Sequence, residues 1–149
     1  MKIKQTLELA SLAPQKIFLR LDLNVPMQEG QITEDYKIKA ALKTIQDLVG
    51  QADKIIIASH LGEPIVDGQL VAGALEKYGL KPVAERLAKL LEEKVKFLPG
   101  QDLIKLKKEI EQTKEKIVVL DNLRFWPGEL TNDTEFAKQL ASLADLYIN

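Results

Sequence analysis

Asp22-Leu23-Asn24-Val25-Pro26 sets a carboxylate and an amide two residues apart, just before a proline. At strand period the two side chains point the same way. A carboxylate beside an amide can hold a hydroxyl or orient a cationic partner. The same residues also suit an Asx turn ahead of Pro26. Ser59-His60-Leu61-Gly62-Glu63-Pro64 carries the single histidine of the chain. His60 is a ligand-binding candidate, with a loop histidine bonded to backbone as the plain alternative. A Ser59–His60 nucleophile pair is disfavoured, because adjacent residues on a strand diverge and no acidic orienter is placed. With one His and no Cys, carboxylates alone would have to complete a metal shell around His60, and no metal site is expected.

Asp121-Asn122-Leu123-Arg124-Phe125-Trp126-Pro127-Gly128-Glu129 holds Arg124. Of 21 basic residues only Arg20, Arg86 and Arg124 are arginines. An arginine here points to a need for its planar fork, as in phosphate or carboxylate recognition. Stacking on Phe125 or Trp126, or a surface ion pair, are the alternatives. Lys37 lies near the start of a helical pattern, beside Glu34 and Asp35; its plain reading is a solvated lysine.

These segments need a scaffold that brings them to one edge. Residues 16–25 read as a buried strand, with Ile17, Leu19, Leu21 and Leu23 on one face, Phe18 on the other, and Pro26 as the stop. Residues 27–31 read as a turn. Thr33 is placed to cap a helix over 34–49, where Ile38, Leu42, Ile45 and Val49 recur at helical spacing before Gly50. An apolar strand over 54–59 is followed by a long polar loop over 60–73. A helix over 80–93, a strand over 95–98 and a charged helix over 102–113 come next. A strand over 116–120, a loop over 121–131, a helix over 133–143 burying Phe136, Ala137 and Leu140, and a last strand from 146 complete the reading. This alternation predicts a three-layer α/β domain: a parallel sheet with helices on both faces. Ligands bind such sheets beyond the carboxyl ends of the strands, where 22–26, 60–64 and 121–129 all fall.

Composition narrows the classes. Hydrophobic residues make up 46% and charged residues 29%, the balance of a soluble globular domain rather than a disordered chain. A net charge of −1 argues against a nucleic-acid partner. No apolar run is long enough for a membrane span, no secretory leader is visible, and cysteine is absent, so a cytoplasmic location is expected. Neither G-x-G-x-x-G nor G-x-x-x-x-G-K-[ST] occurs, which disfavours a dinucleotide fold and a P-loop.

Read together, the segments resemble the N-terminal domain of phosphoglycerate kinase. The resemblance rests on Arg20-Leu21-Asp22-Leu23-Asn24-Val25-Pro26, residues 33–44, Ser59-His60-Leu61-Gly62 and Leu80-Lys81-Pro82-Val83-Ala84-Glu85-Arg86-Leu87. It continues through Asn122-Leu123-Arg124-Phe125, Pro127-Gly128-Glu129 and Ala144-Asp145-Leu146-Tyr147-Ile148-Asn149. It implies a Rossmann-like domain that holds 3-phosphoglycerate or 1,3-bisphosphoglycerate, the substrate half of a glycolytic hinge kinase. Mg-ATP or ADP is then carried by a C-terminal domain, with none bound by this chain. On this pattern Asp22 and Asn24 hold the glycerate end. His60 and Arg124 belong to a basic patch for the phosphate, with Leu61, Gly62 and Glu63 in the same loop. Lys37 takes the catalytic position at the carboxylate.

The sequence departs from the family pattern at three sites. Lys37 stands where the family has arginine, which keeps the charge and loses the fork. Glu63 stands where the family has a phosphate-binding arginine, which reverses the charge and is expected to weaken phosphate binding. Trp126 stands where many members have histidine. The resemblance thus implies that residues 1–149 form one incomplete N-terminal domain, monomeric and inactive alone. A non-catalytic phosphate- or phosphosugar-binding module is the alternative, and a partner-binding fragment with a vestigial site is a third.

Overall fold

Buried side chains alternate along the central strands, and that alternation dictates the layers. Ile17, Leu19, Ile55, Ile57, Ile117 and Val119 belong to one core. Phe18, Ile56, Ala58, Val118 and Leu120 belong to another. A sheet apolar on both faces must be covered on both. The computed structural model describes residues 15–149. In chain order its elements are β1 (Lys16–Arg20), β2 (Met27–Gln28), β3 (Gln31–Ile32), α1 (Tyr36–Val49), β4 (Lys54–Ala58), β5 (Ile65–Val66), β6 (Gln69–Leu70) and α2 (Ala74–Lys77). Then follow α3 (Lys81–Leu91), β7 (Val95–Leu98), α4 (Leu103–Gln112), β8 (Ile117–Leu120), a 3-10 turn (Leu123–Phe125), α5 (Pro127–Leu130), α6 (Thr134–Ala141) and β9 (Leu146–Ile148).

One sheet runs β7-β8-β4-β1-β9. Its pairings are all parallel, with Leu19 opposite Ile57 and Ile57 opposite Val119. Helices α1 and α3 cover the first core through Ile38, Ile45, Val83 and Leu87, with Leu80 just ahead of α3. Helix α4 covers the second through Leu106 and Ile110, beside Leu123 and Leu143. The expected three-layer α/β architecture is present. Its consequence is positional: β1, β4 and β8 end side by side, so the segments after them meet.

Several local expectations are corrected. The first strand stops at Arg20, because the Asn24 N–H donates to Asp22 Oδ1 (3.1 Å) and turns the chain out of the ladder. Leu23 and Val25 stay buried without strand geometry. Thr33 does not cap α1; its hydroxyl donates to the Pro26 carbonyl (3.2 Å), and the helix begins at Tyr36. Asp35 stands at the cap position, but its carboxylate accepts from Arg86 Nε (2.8 Å) and pairs with Lys39 (2.8 Å), clamping α1 to α3. These cations hold the Asp35 carboxyl below its ordinary value, Lys39 most of all. The hairpin β2–β3 occupies the segment read as a turn and runs one residue past it, the hairpin β5–β6 lies within the segment read as a loop, and the short helix α2 follows that loop; all are too short to show periodicity. The loop over 121–131 contains the 3-10 turn and α5. Helix α6 leaves Ala137 exposed and Phe136 half-buried, tilted against Trp126 at 5.2 Å between centroids.

The expected absence of a leader concerns residues 1–14, which lie outside the described residues. No helix among the described residues is long and apolar enough to cross a membrane.

Candidate functional site

Asn122 is the brace on which the site is built. It lies two residues past the end of β8, and it is fully buried. Its Oδ1 accepts from the N–H of Leu61 (3.2 Å) and of Arg124 (3.0 Å). Its Nδ2 donates to the carbonyls of Leu61 (2.7 Å) and Tyr78 (3.0 Å). One side chain thereby locks the loop after β4 to the loop after β8. Leu61 is a core residue with both backbone groups spent on Asn122, so it positions its neighbours and offers a ligand no free group. Ser59 is buried and its hydroxyl accepts from the Leu23 N–H (2.9 Å), an anchoring role that leaves no nucleophile.

The polar residues converge on this frame. Asn24 Oδ1 accepts from the Gly62 N–H (3.0 Å), joining the loops after β1 and β4. Gly62 has φ +59°, and a Cβ there would overlap the Tyr78 ring, so this turn requires glycine. Lys37 Nζ lies 2.7 Å from Asp22 Oδ2. That hydrogen bond is the main reason Asp22 is held below its ordinary value. Asp22 and Asn24 therefore do not stand side by side on a strand: one faces Lys37, the other Gly62.

Arg124 is not stacked on an aromatic ring. Its guanidinium pairs with Glu63, and its Nε lies 3.5 Å from Glu129 Oε2. That Nε is buried without a hydrogen-bond partner. Glu129 also takes Arg20 Nη2 at 2.6 Å. His60 is half-buried between these groups. Burial lowers its pKa first, Arg124 adds to the fall, and Asp22 and Glu129 oppose it. An open cleft of about 630 Å³ starts beside Asn24, Leu61 and Gly62.

Asp22, Asn24, Lys37, His60, Gly62, Glu63 and Arg124 thus come together at one sheet edge, and Arg86 does not, being engaged with Asp35. Sequence reasoning missed Arg20 and Glu129 as a pair and Asn122 as a brace. The signal for Arg20 was its place as the last residue of the first apolar run. Local sequence offered only the Asn122 bond to the Arg124 N–H two residues on; the Arg20 partner of Glu129 and the Leu61 and Tyr78 partners of Asn122 are distant in sequence.

The fold and this edge define a parallel α/β domain with an amide-braced cluster of cations paired with carboxylates at the carboxyl ends of its strands. The family model for phosphoglycerate kinase matches residues 7–149, and the chain belongs to that family. It is 41% identical over 147 residues to a phosphoglycerate kinase of Fervidobacterium nodosum, covering 98% of this chain and 35% of that relative. The phosphoglycerate kinase structure from Coxiella burnetii superposes with a TM-score of 0.72 at 34% identity, covering 93% of this chain and 33% of that one. The structure from Pyrococcus horikoshii gives 0.72 at 30% identity, covering 92% and 34%. The chain spans about a third of the length of these relatives.

Proposed function

We propose that this chain is the substrate-holding half of a phosphoglycerate kinase. It takes 3-phosphoglycerate or 1,3-bisphosphoglycerate at the strand ends. The observation that carries the reading is the gathering of Arg20, His60 and Arg124 at the carboxyl ends of β1, β4 and β8, with Lys37 and Asp22 beside them. A phosphate dianion needs fixed donors, and arginine supplies a planar fork for it. Asn24 and Asp22 orient the glycerate hydroxyl, and Lys37 faces the carboxylate. Lys37 neutralises charge there as a point cation rather than through a fork.

Among the described residues no three His, Cys, Asp or Glu side chains gather as a metal shell, and the sequence holds no glycine-rich phosphate cradle. In this reading the magnesium nucleotide is carried by the other half of the kinase, and no step runs through it. Phosphoryl transfer needs positioning and charge neutralisation from both the acceptor and the nucleotide side. The 149-residue chain is therefore expected to bind 3-phosphoglycerate and to show no turnover. Isothermal titration and a coupled kinase assay check the two halves of this statement. Absence of binding up to millimolar ligand overturns the reading. Turnover that survives repurification overturns the inactivity.

His60 gives the binding a pH dependence. Its pKa is lowered by burial, so near neutral pH it is uncharged in the free protein. A phosphate beside it favours the imidazolium and raises that pKa. Binding therefore takes up protons, and affinity rises as pH falls from about 8 towards 6.5, a window in which the phosphate stays largely dianionic because its second pKa is about 6. Titrations in two buffers of different ionisation enthalpy measure the uptake. His60→Gln should abolish it; equal uptake in that variant would remove His60 from the site.

A further inference from the structure

Among the described residues, the strand-end cations each carry a carboxylate: Arg20 has Glu129, Lys37 has Asp22, and Arg124 has Glu63 and Glu129. An arriving anion must break a pair, and exposure decides which. The Glu129 side chain is 10% exposed and spans both arginines, so freeing it would strand a carboxylate in a poorly hydrated place. The Glu63 side chain is 72% exposed and is hydrated as soon as it is released. The Gly62 turn, fixed by its positive φ and by Tyr78, aims Glu63 at the guanidinium. Arg124 is held in place from its backbone N–H by Asn122.

We propose that Glu63 is a built-in competitor, a carboxylate that occupies Arg124 and that an anionic ligand must displace. The proposal rests on the substrate reading above and adds a competitor to it. Glu63 is tethered at high effective concentration, so it lowers the affinity of every anion that uses Arg124. A phosphate dianion brings twice the charge of a carboxylate and several acceptor oxygens, so it is the kind of anion that displaces Glu63. The site thus takes its phosphate at the cost of absolute affinity.

Titration of glycerate, sulfate and 3-phosphoglycerate against wild type, Glu63→Gln, Glu63→Ala, Arg124→Ala and the double variant Glu63→Gln/Arg124→Ala tests this. Glu63 is exposed, so its variants should melt within a few degrees of wild type. Glu63→Gln and Glu63→Ala should each tighten sulfate and 3-phosphoglycerate by about fivefold, the scale of an exposed ion pair plus the repulsion removed. Glycerate, which has no phosphate to place on Arg124, should gain less than 3-phosphoglycerate. In the Arg124→Ala background the Glu63→Gln change should have almost no effect. If 3-phosphoglycerate binds wild type and both Glu63 variants equally, the competitor role is overturned and the substrate reading stands. If sulfate tightens in the Glu63 variants while 3-phosphoglycerate binds no better than sulfate, the competitor role stands and the substrate reading falls. An equal gain with and without Arg124 would show a general charge effect and overturn the displacement.

Discussion

Arg124→Ala will weaken 3-phosphoglycerate binding by at least about tenfold, while the folded domain persists. A charge-assisted hydrogen bond is worth roughly 1.5–3 kcal/mol, so losing even one from the fork reaches that factor. The fold should tolerate the change because the partners left behind are provided for. Glu129 keeps Arg20 at 2.6 Å, and the exposed Glu63 carboxylate turns to water. The Arg124 N–H bond to Asn122 is a backbone bond and survives the substitution. Arg124→Lys should restore only part of the affinity, since an ammonium cannot present two parallel donors. Arg86→Ala is the informative contrast. It breaks the Asp35 clamp between α1 and α3, so it should lower stability and leave ligand affinity within about twofold. Titration and denaturant unfolding of the three variants check this. If Arg124→Ala binds like wild type, the phosphate is not held at this arginine.

The layers were legible because a period-two alternation of Ile, Leu, Phe and Val in three strands has one solution. Ile17, Phe18 and Leu19 cannot all be buried unless both faces of the sheet are covered. The meeting of the post-strand segments followed, since residues just after parallel strands share one edge. The pairings at that edge were not legible. Arg124 and Glu63 are 61 residues apart, and Lys37 and Asp22 are 15 apart. Residue type gives a cation a need for an anion but does not choose among 22 acidic residues. The start of α1 was misplaced for the same reason. Thr33 is a good cap by composition, but Arg86 recruited Asp35, and a tertiary ion pair outweighed a local preference. The Asx turn at Asp22 was one of two open readings, and a local rule could have favoured it because its partner lies two residues on.

Asn122 is the clearest case of a function that local sequence conceals, and its removal carries the largest expected effect on stability. Asn122→Ala takes partners from four backbone groups: the N–H of Leu61, the N–H of Arg124, and the carbonyls of Leu61 and Tyr78. Leu61 and Asn122 are buried, so bulk water does not simply replace the bonds. An unsatisfied buried group costs about 1–3 kcal/mol. Even with a water entering the space, the loss should be roughly 3–5 kcal/mol, a large part of the stability of an ordinary domain. The melting midpoint should fall by roughly 10 °C for a domain of this size. Asn122→Asp separates donor from acceptor. It keeps Oδ1 for Leu61 and Arg124 but sets a second carboxylate oxygen against the Leu61 and Tyr78 carbonyls, so it should be no better than alanine near neutral pH. Protonation would restore one donor, so the aspartate variant should recover part of its stability as pH falls through its raised carboxyl pKa, which the alanine variant does not. Urea unfolding of wild type and both variants at two pH values measures this. A loss below about 1 kcal/mol for Asn122→Ala would mean that the loops after β4 and β8 hold each other without the amide. The placement of His60 and Arg124 would then have to come from the strands alone.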